Sequence, residues 1–212
     1  MDTDCAAARL NALLEKAGIE QLIPETAAKF AIYISLILRW NARLNLTSLR
    51  TEDAIFSRHL TESIACAMAI PLGVRTLLDF GSGAGLPGIP IALCRPEIAV
   101  TLAESQGKKA AFLREVVRTL ALTAKVHADR AEALPTAFDC VVLRAVDKMP
   151  KAVASAAKLV AHGGWLALMT TNAEVDGLRS ASGTEFRWSE PVRSPVGDNR
   201  ILALGRRVSS SV

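Results

Sequence analysis

The segment LLDFGSGAGLPGIP, residues 77–90, holds four glycines and two prolines directly behind an apolar run. Glycine inside an ordinary element costs roughly 1 kcal/mol relative to alanine, so such a cluster marks backbone that turns sharply or is approached closely by something else. Gly83-Ala84-Gly85-Leu86-Pro87-Gly88 fits the GxGxxG spacing of nucleotide-binding loops. Asp79, two residues before Gly81, bears on which nucleotide. A carboxylate there repels a pyrophosphate and suits a ligand carrying an ammonium and a sulfonium, which points to S-adenosylmethionine, with a dinucleotide as the rival reading. Glu104 ends the next apolar run, where an acid takes the two ribose hydroxyls, a contact that both cofactors share. Asp129 and Glu132 follow the third run, on the side where an adenine would lie.

The elements that must hold these residues follow from hydrophobic periodicity. The first 70 residues read as helices: one at about 4–17 ending near Gly18, and a longer one opening at Pro24, with Phe30, Ile34, Ile37 and Leu44 near one face. From about 75 the pattern alternates: VRTLLDF then GIPIALCR, AVTLAES then GKKAAFLREVVRTLAL, AKVHAD, FDCVVLRAV then PKAVASAAKLVAHGG, and WLALMT. Strands interleaved with helices predict βαβ units and a parallel sheet. TEFRWSE and RILALGRR, joined by PVRSPVGDN, are expected to close one sheet edge as an antiparallel pair. The glycine loop is then the first βα turn, outside the strand carboxyl ends where α/β sheets bind ligands.

Composition bounds the rest. Half of the 212 residues are hydrophobic, enough for a sizeable core, and the longest apolar run, FAIYISLIL at 30–38, falls well short of a bilayer span. MDTDCAAARL lacks the apolar region of a leader, so a cytoplasmic protein is expected, with no membrane association. Cys5, Cys66, Cys94 and Cys140 are isolated in sequence and read as small buried hydrophobes, with neither disulfide nor metal expected. The net charge of +4 favours an anionic partner weakly. Placement says more: Arg39, Arg43, Arg50 and Arg58 crowd one segment, and Lys108 and Lys109 are adjacent.

DFGSGAGLPGIPIAL followed by LAESQGKKAAFLREV, and preceded by LRWNARLNLTSLR and RHLTESI, resembles the small-subunit (16S) ribosomal RNA guanine-N(7) methyltransferase family, RsmG/GidB. The likeness covers about 30–150 and returns near 195–204. It implies an α/β class I methyltransferase fold, Rossmann-like with a mostly parallel seven-stranded sheet, under an N-terminal helical cap. Residues 1–70 would form the cap and 71–212 the methyltransferase domain. It implies S-adenosylmethionine as donor and 16S ribosomal RNA or the small ribosomal subunit as partner of a monomer. Carried onto this chain, Gly81, Ser82, Gly83, Gly85 and Leu86 with Asp79 and Glu104 would hold the donor, and Ala131 and Glu132 its adenine. Arg144 would stand at the mouth of the active site as both a donor-binding and a catalytic residue, with Arg200 as a second catalytic arginine. Arg39, Asn41, Asn45, Thr47, Arg58 and His59 match the cap signature. Arg39, Arg43, Arg58, His59, Lys108 and Lys109 are the candidate RNA contacts. Thr170 and Thr171 replace the family's lysine-glycine pair, Ile201 stands where a histidine is common, and Glu62 where an aspartate is usual.

The chemistry agrees with the resemblance. Guanine N7 carries a lone pair and no proton, so transfer to it needs positioning and electrostatics but no general base. The chain correspondingly has no Pro-Cys nucleophile and no Asn/Asp-Pro-Pro-aromatic run. An arginine, Arg144 or Arg200, could hold the guanine O6 or a neighbouring phosphate. The other reading of Arg144 is an ion pair at a strand end, with Glu132 or Asp139 as the acid. Trp40 is expected to anchor the cap to the sheet. A small-molecule or protein acceptor, a nicotinamide-dependent oxidoreductase and a non-catalytic RNA-binding module are the alternatives to weigh.

Overall fold

In the computed structural model, the described residues are 3–44, 46, 59–197 and 199–208, the side chains of Thr3, Ala42 and Arg43 excepted. Of the sequence candidates, Asn45, Thr47, Arg50, Arg58 and the Arg43 side chain lie outside them.

Two helices lead, α1 at Thr3–Lys16 and α2 at Pro24–Leu44, followed by α3 at Thr61–Ala69. Strand β1 (Thr76–Phe80) then feeds the glycine loop and α4 (Gly88–Cys94). The alternation continues with β2 (Ala99–Ala103), α5 (Gly107–Thr119), β3 (Lys125–His127), β4 (Phe138–Arg144), α6 (Met149–Lys158) and β5 (Val160–Thr171). Helix α7 (Val175–Ala181) and strands β6 (Phe186–Trp188), β7 (Val192–Arg193) and β8 (Arg200–Arg207) complete the chain. The sheet order is β3-β2-β1-β4-β5-β8-β6, with β7 pairing β8 off that path. Strands β1 to β5 are mutually parallel, and β8 runs antiparallel to β5, β6 and β7. The strand order reverses between β1 and β4, which opens a crevice above their carboxyl ends.

Sheet burial on both faces explains the near-continuous apolar strands. Leu77, Cys140, Val142 and Ala167 face one core, while Leu78, Val141, Leu143, Leu166 and Leu168 face the other. The first core also takes Leu10, Leu14, Phe30, Ile34 and Ile37, so the N-terminal helices cover that sheet face without an intervening gap. Helices α6 and α7 cover the opposite face through Val153, Ala156 and Leu178. Among the described residues, no helix is long and apolar enough to cross a membrane.

Four sequence expectations are corrected in detail. Strand β5 opens at Val160, not at Trp165, because a register shift pairs Phe138 with Val160 and Cys140 with Trp165, with Gly163 supplying a left-handed turn at φ +75°. Strand β7 adds a two-residue eighth strand to the expected seven. Cys5 is exposed on α1, whereas Cys66 and Cys140 are buried. Trp40 anchors α2 to α5 and not to the sheet: its Nε1 donates to Glu115 Oε2 at 2.9 Å and its ring lies edge-on to Phe112 at 5.7 Å.

Tyr33, fully buried on α2, donates a 2.6 Å hydrogen bond to the Ala84 carbonyl in the glycine loop. Burial pushes its phenol well above the ordinary value, so it stays a neutral donor. Tyr33→Phe orphans a buried carbonyl and is expected to lower the unfolding free energy by about 1–2 kcal/mol. Phe30→Ala, which opens a cavity one turn away, is expected to cost about 3–5 kcal/mol. Urea titrations of both variants check this order.

Candidate active site

Strand β1 delivers Asp79 into the interior, where the residue is only 1% exposed. Its Oδ2 accepts from the Gly88 amide at 3.1 Å, capping the start of α4 from beneath the loop. The carboxylate is therefore not aimed at a ligand's ammonium, as the charge argument from sequence had it, but clamps the loop from below. Position 88 has to be glycine for this clamp, because a Cβ there would stand 2.3 Å from Leu102 Cδ2 and 2.5 Å from Asp79 Oδ2. Gly85 is likewise packed inward, against Ile89 and Tyr33, and does not border the cleft.

Above the clamp lies a cleft of about 560 Å³ bordered by Gly81, Ser82, Gly83, Leu86, Glu104 and Lys109 on the donor-loop side. His59, Arg144 and Arg200 border it opposite. A second hollow of about 540 Å³ shares Gly81 and Glu104 with it and continues to Asp129, Ala131 and Glu132. The two make one groove across the carboxyl ends of β1, β2 and β4. Glu104, 6% exposed, sits at the join. Its Oε2 accepts from the Gly83 amide at 2.9 Å and its Oε1 from the Gln106 amide at 2.8 Å. Each oxygen keeps a further lone pair for a diol. Gly83 adopts φ +56°, and a Cβ there would meet only the Gly81 carbonyl at 3.9 Å, so this backbone faces open space. The groove thus fits S-adenosylmethionine: an acid for the ribose, bare backbone for the aminoacyl part, and a pocket beside Ala131 for the base.

The arginines sit across the cleft. Arg144, at the end of β4 with its side chain 6% exposed, donates from Nη2 to Glu62 Oε2 at 2.7 Å and contacts His59 Nδ1. Burial pulls its pKa below the ordinary guanidinium value, and Glu62 works against that shift. The paired acid is therefore neither Glu132 nor Asp139. Glu132 borders the second hollow, and Asp139 accepts from the Arg75 and Thr76 amides at 3.0 and 2.9 Å. Arg200, 29% exposed, points its Nε toward Glu62 Oε1 at 3.9 Å. Arg39 lies outside the cleft and pairs with Glu115. Lys108 is exposed on the first turn of α5, next to Lys109. Thr170 and Thr171, which stand in place of a lysine-glycine pair, both donate to Glu174 Oε2.

Sequence reasoning missed Tyr33 as the tie beneath the loop, and Ser105, Val146 and Asp147, which border both hollows. Tyr33 gave a signal as the chain's single tyrosine, on the buried face of α2, although its partner was not legible.

Topology and groove together define an S-adenosylmethionine-dependent methyltransferase fold. Solved structures share it: mitomycin 7-O-methyltransferase MmcR, at TM-score 0.63 and 16% identity over 97% of this chain and 69% of that one, and a SAM-dependent O-methyltransferase from Thermotoga maritima, at TM-score 0.55 and 16% identity over 71% and 66%. Those likenesses concern the fold alone. A family model described as rRNA small subunit methyltransferase G, GidB, matches residues 26–187. Ribosomal RNA small subunit methyltransferase G of Xanthomonas oryzae pv. oryzae is 42% identical over 174 residues, 80% of this chain and 81% of that protein. Its namesake in Stenotrophomonas maltophilia is 44% identical over 140 residues, 65% of each. The chain belongs to the GidB family.

Two outcomes follow from this geometry. Gly83→Asp places a charged side chain in the open space beside Glu104, and calorimetry should show donor affinity reduced by about 100-fold or more while Tm shifts by only a few degrees. Burial pushes the Asp79 carboxyl from 3.8 up to about 7, against the opposing Gly88 bond and Arg144 charge. Between about pH 4 and 7 the folded chain keeps a proton that the unfolded chain releases, so this group's contribution to stability falls as pH rises through that window and levels off above it. Asp79→Asn removes the titration. Its stability relative to wild type should rise by about 1–3 kcal/mol from pH 5 to pH 8 in urea titrations.

Proposed function

We propose that this chain transfers a methyl group from S-adenosylmethionine to N7 of a guanine in 16S ribosomal RNA. The observation that carries the reading is the opposition of two walls across one cleft. The glycine loop and Glu104 stand on one side, and Arg144, Arg200 and His59 stand on the other. S-adenosylmethionine, when bound, supplies an electrophilic methyl group on a sulfonium. The groove holds that donor through Gly83, Glu104 and Ala131. Its mouth holds the acceptor, and Arg144 and Arg200 orient a guanine through O6 or a neighbouring phosphate. No proton leaves N7, so the arginines act by position and field alone.

Lys109 borders the first hollow, and Lys148 and Lys151 border the second. With Lys108 they lay a basic margin for RNA phosphates around the groove. On this reading residues 1–70 cap a catalytic unit formed by 71–212, and a monomer in the cytoplasm meets the 16S RNA of the small subunit.

Purified protein with labelled S-adenosylmethionine is expected to label small subunits from cells lacking this enzyme, and digestion with mass spectrometry should place the methyl on guanine N7. Absence of label beside an active control overturns the reading. Arg200→Ala should leave donor affinity within about twofold and reduce transfer by about 10-fold or more, the loss expected for one charge-assisted hydrogen bond.

A further inference from the structure

Glu62, on α3, is the carboxylate behind the arginine pair, with its side chain 3% exposed. Its Oε2 is taken by Arg144, but its Oε1 is buried and accepts no hydrogen bond among the described residues. Arg200 Nε, at 3.9 Å, is near enough for charge attraction and too far to donate. An unsatisfied buried carboxylate oxygen is costly, and its persistence calls for a partner that arrives from outside. Glu62 also borders a narrow recess with Thr170, Val192, Pro195 and Arg200. Arg200 belongs to the walls of both recess and donor cleft, so the two adjoin.

We infer that Glu62 reads the Watson–Crick edge of the acceptor guanine, its carboxylate accepting from N1–H and the N2 amino group while Arg144 donates to O6. This deepens the methyltransferase reading above and rests on it. The base chemistry selects guanine. Its edge presents O6, N1–H and N2–H in series, one acceptor followed by two donors. Adenine and cytosine place an acceptor at the ring nitrogen of that edge, and uracil flanks its one N–H with two carbonyls. Guanine alone offers a carboxylate two adjacent donors with an acceptor beside them for the arginine.

The positions agree with that order. O6 lies between N1 and N7 on the purine. Arg144 lies between Glu62, to which it is bonded, and the donor cleft, which it borders. A guanine seated on Glu62 through N1 and N2, and on Arg144 through O6, turns N7 toward the donor side. Methylation at N7 leaves the purine positively charged and N1–H a stronger donor. The bond to Glu62 thus tightens as the methyl transfers, which raises kcat as well as selecting the base.

The test uses small subunits reconstituted with either guanine or inosine at the acceptor position, inosine lacking only the N2 amino group. Wild-type enzyme should methylate guanine subunits about 10-fold or more faster than inosine subunits, as one hydrogen bond to a charged group implies. Glu62→Gln, whose amide offers one acceptor and an opposing donor, should lose that preference and drop in kcat more than it rises in KM, with donor affinity by calorimetry unchanged. A Glu62→Gln enzyme that folds and keeps the wild-type preference overturns the proposal. If that variant fails to fold, the wild-type comparison decides alone: equal rates on both substrates overturn the proposal while leaving the methyltransferase reading intact. No transfer to guanine subunits by wild type overturns both.

Discussion

Asp79 beneath the glycine loop is the interaction on which the rest of the site depends. A single carboxylate, buried and short of water, holds the Gly88 amide and so fixes where β1 ends and α4 begins. The loop between them can then present Gly83 outward with its amide on Glu104. Tyr33 secures the same loop at Ala84 from the helical side. Three contacts, from β1, the residue just past β2 and α2, thus hold a backbone whose composition would leave it mobile in isolation. A buried acid is an expensive fastening, and burial raises its pKa accordingly. The return is a donor surface preorganised before any ligand arrives.

A second constraint operates across the cleft. Glu62, Arg144 and Arg200 come from α3, β4 and β8, parts of the chain far apart in sequence. The ion pair of Arg144 with Glu62 ties the N-terminal helices to the sheet beside the cleft. The donor half of the groove rests on β1, β2 and the helix between them. The side bordered by His59, Arg144 and Arg200 is assembled from distant segments.

That difference governs what could be read from the chain directly. The parallel sheet was legible because apolar strands alternate with longer amphipathic helices, and the donor loop because glycine has few reasons to cluster. Glu104 was legible from its place at a strand end. Local pattern did not carry the direction in which side chains point. Asp79 was singled out from its place before the loop, but its direction was not legible, since a strand residue beside a turn can face cleft or core with the same spacing. The partner of Arg144 was sought among acids near the sheet, whereas Glu62 reaches it from a helix 82 positions earlier. Trp40 behaved as an anchor, but its partner Glu115 lies 75 positions away on another helix. The break in β5 at Gly163 and the two-residue β7 depend on register, which pairs of strands determine together.

The place of β8 in the sheet sets an order on biosynthesis. Residues Arg200–Arg207 are made after every other strand, yet they fill an interior position between β5 and β6. As the chain emerges from its amino end, β1 to β5 and the donor loop can assemble first, while β5 keeps an open edge and β6 waits without a neighbour. Arg200 enters the cleft only when that final strand slots in. A nascent or truncated molecule lacking it has the glycine loop and Glu104 in place but an incomplete cleft wall, so the cleft is finished only at the last step of assembly.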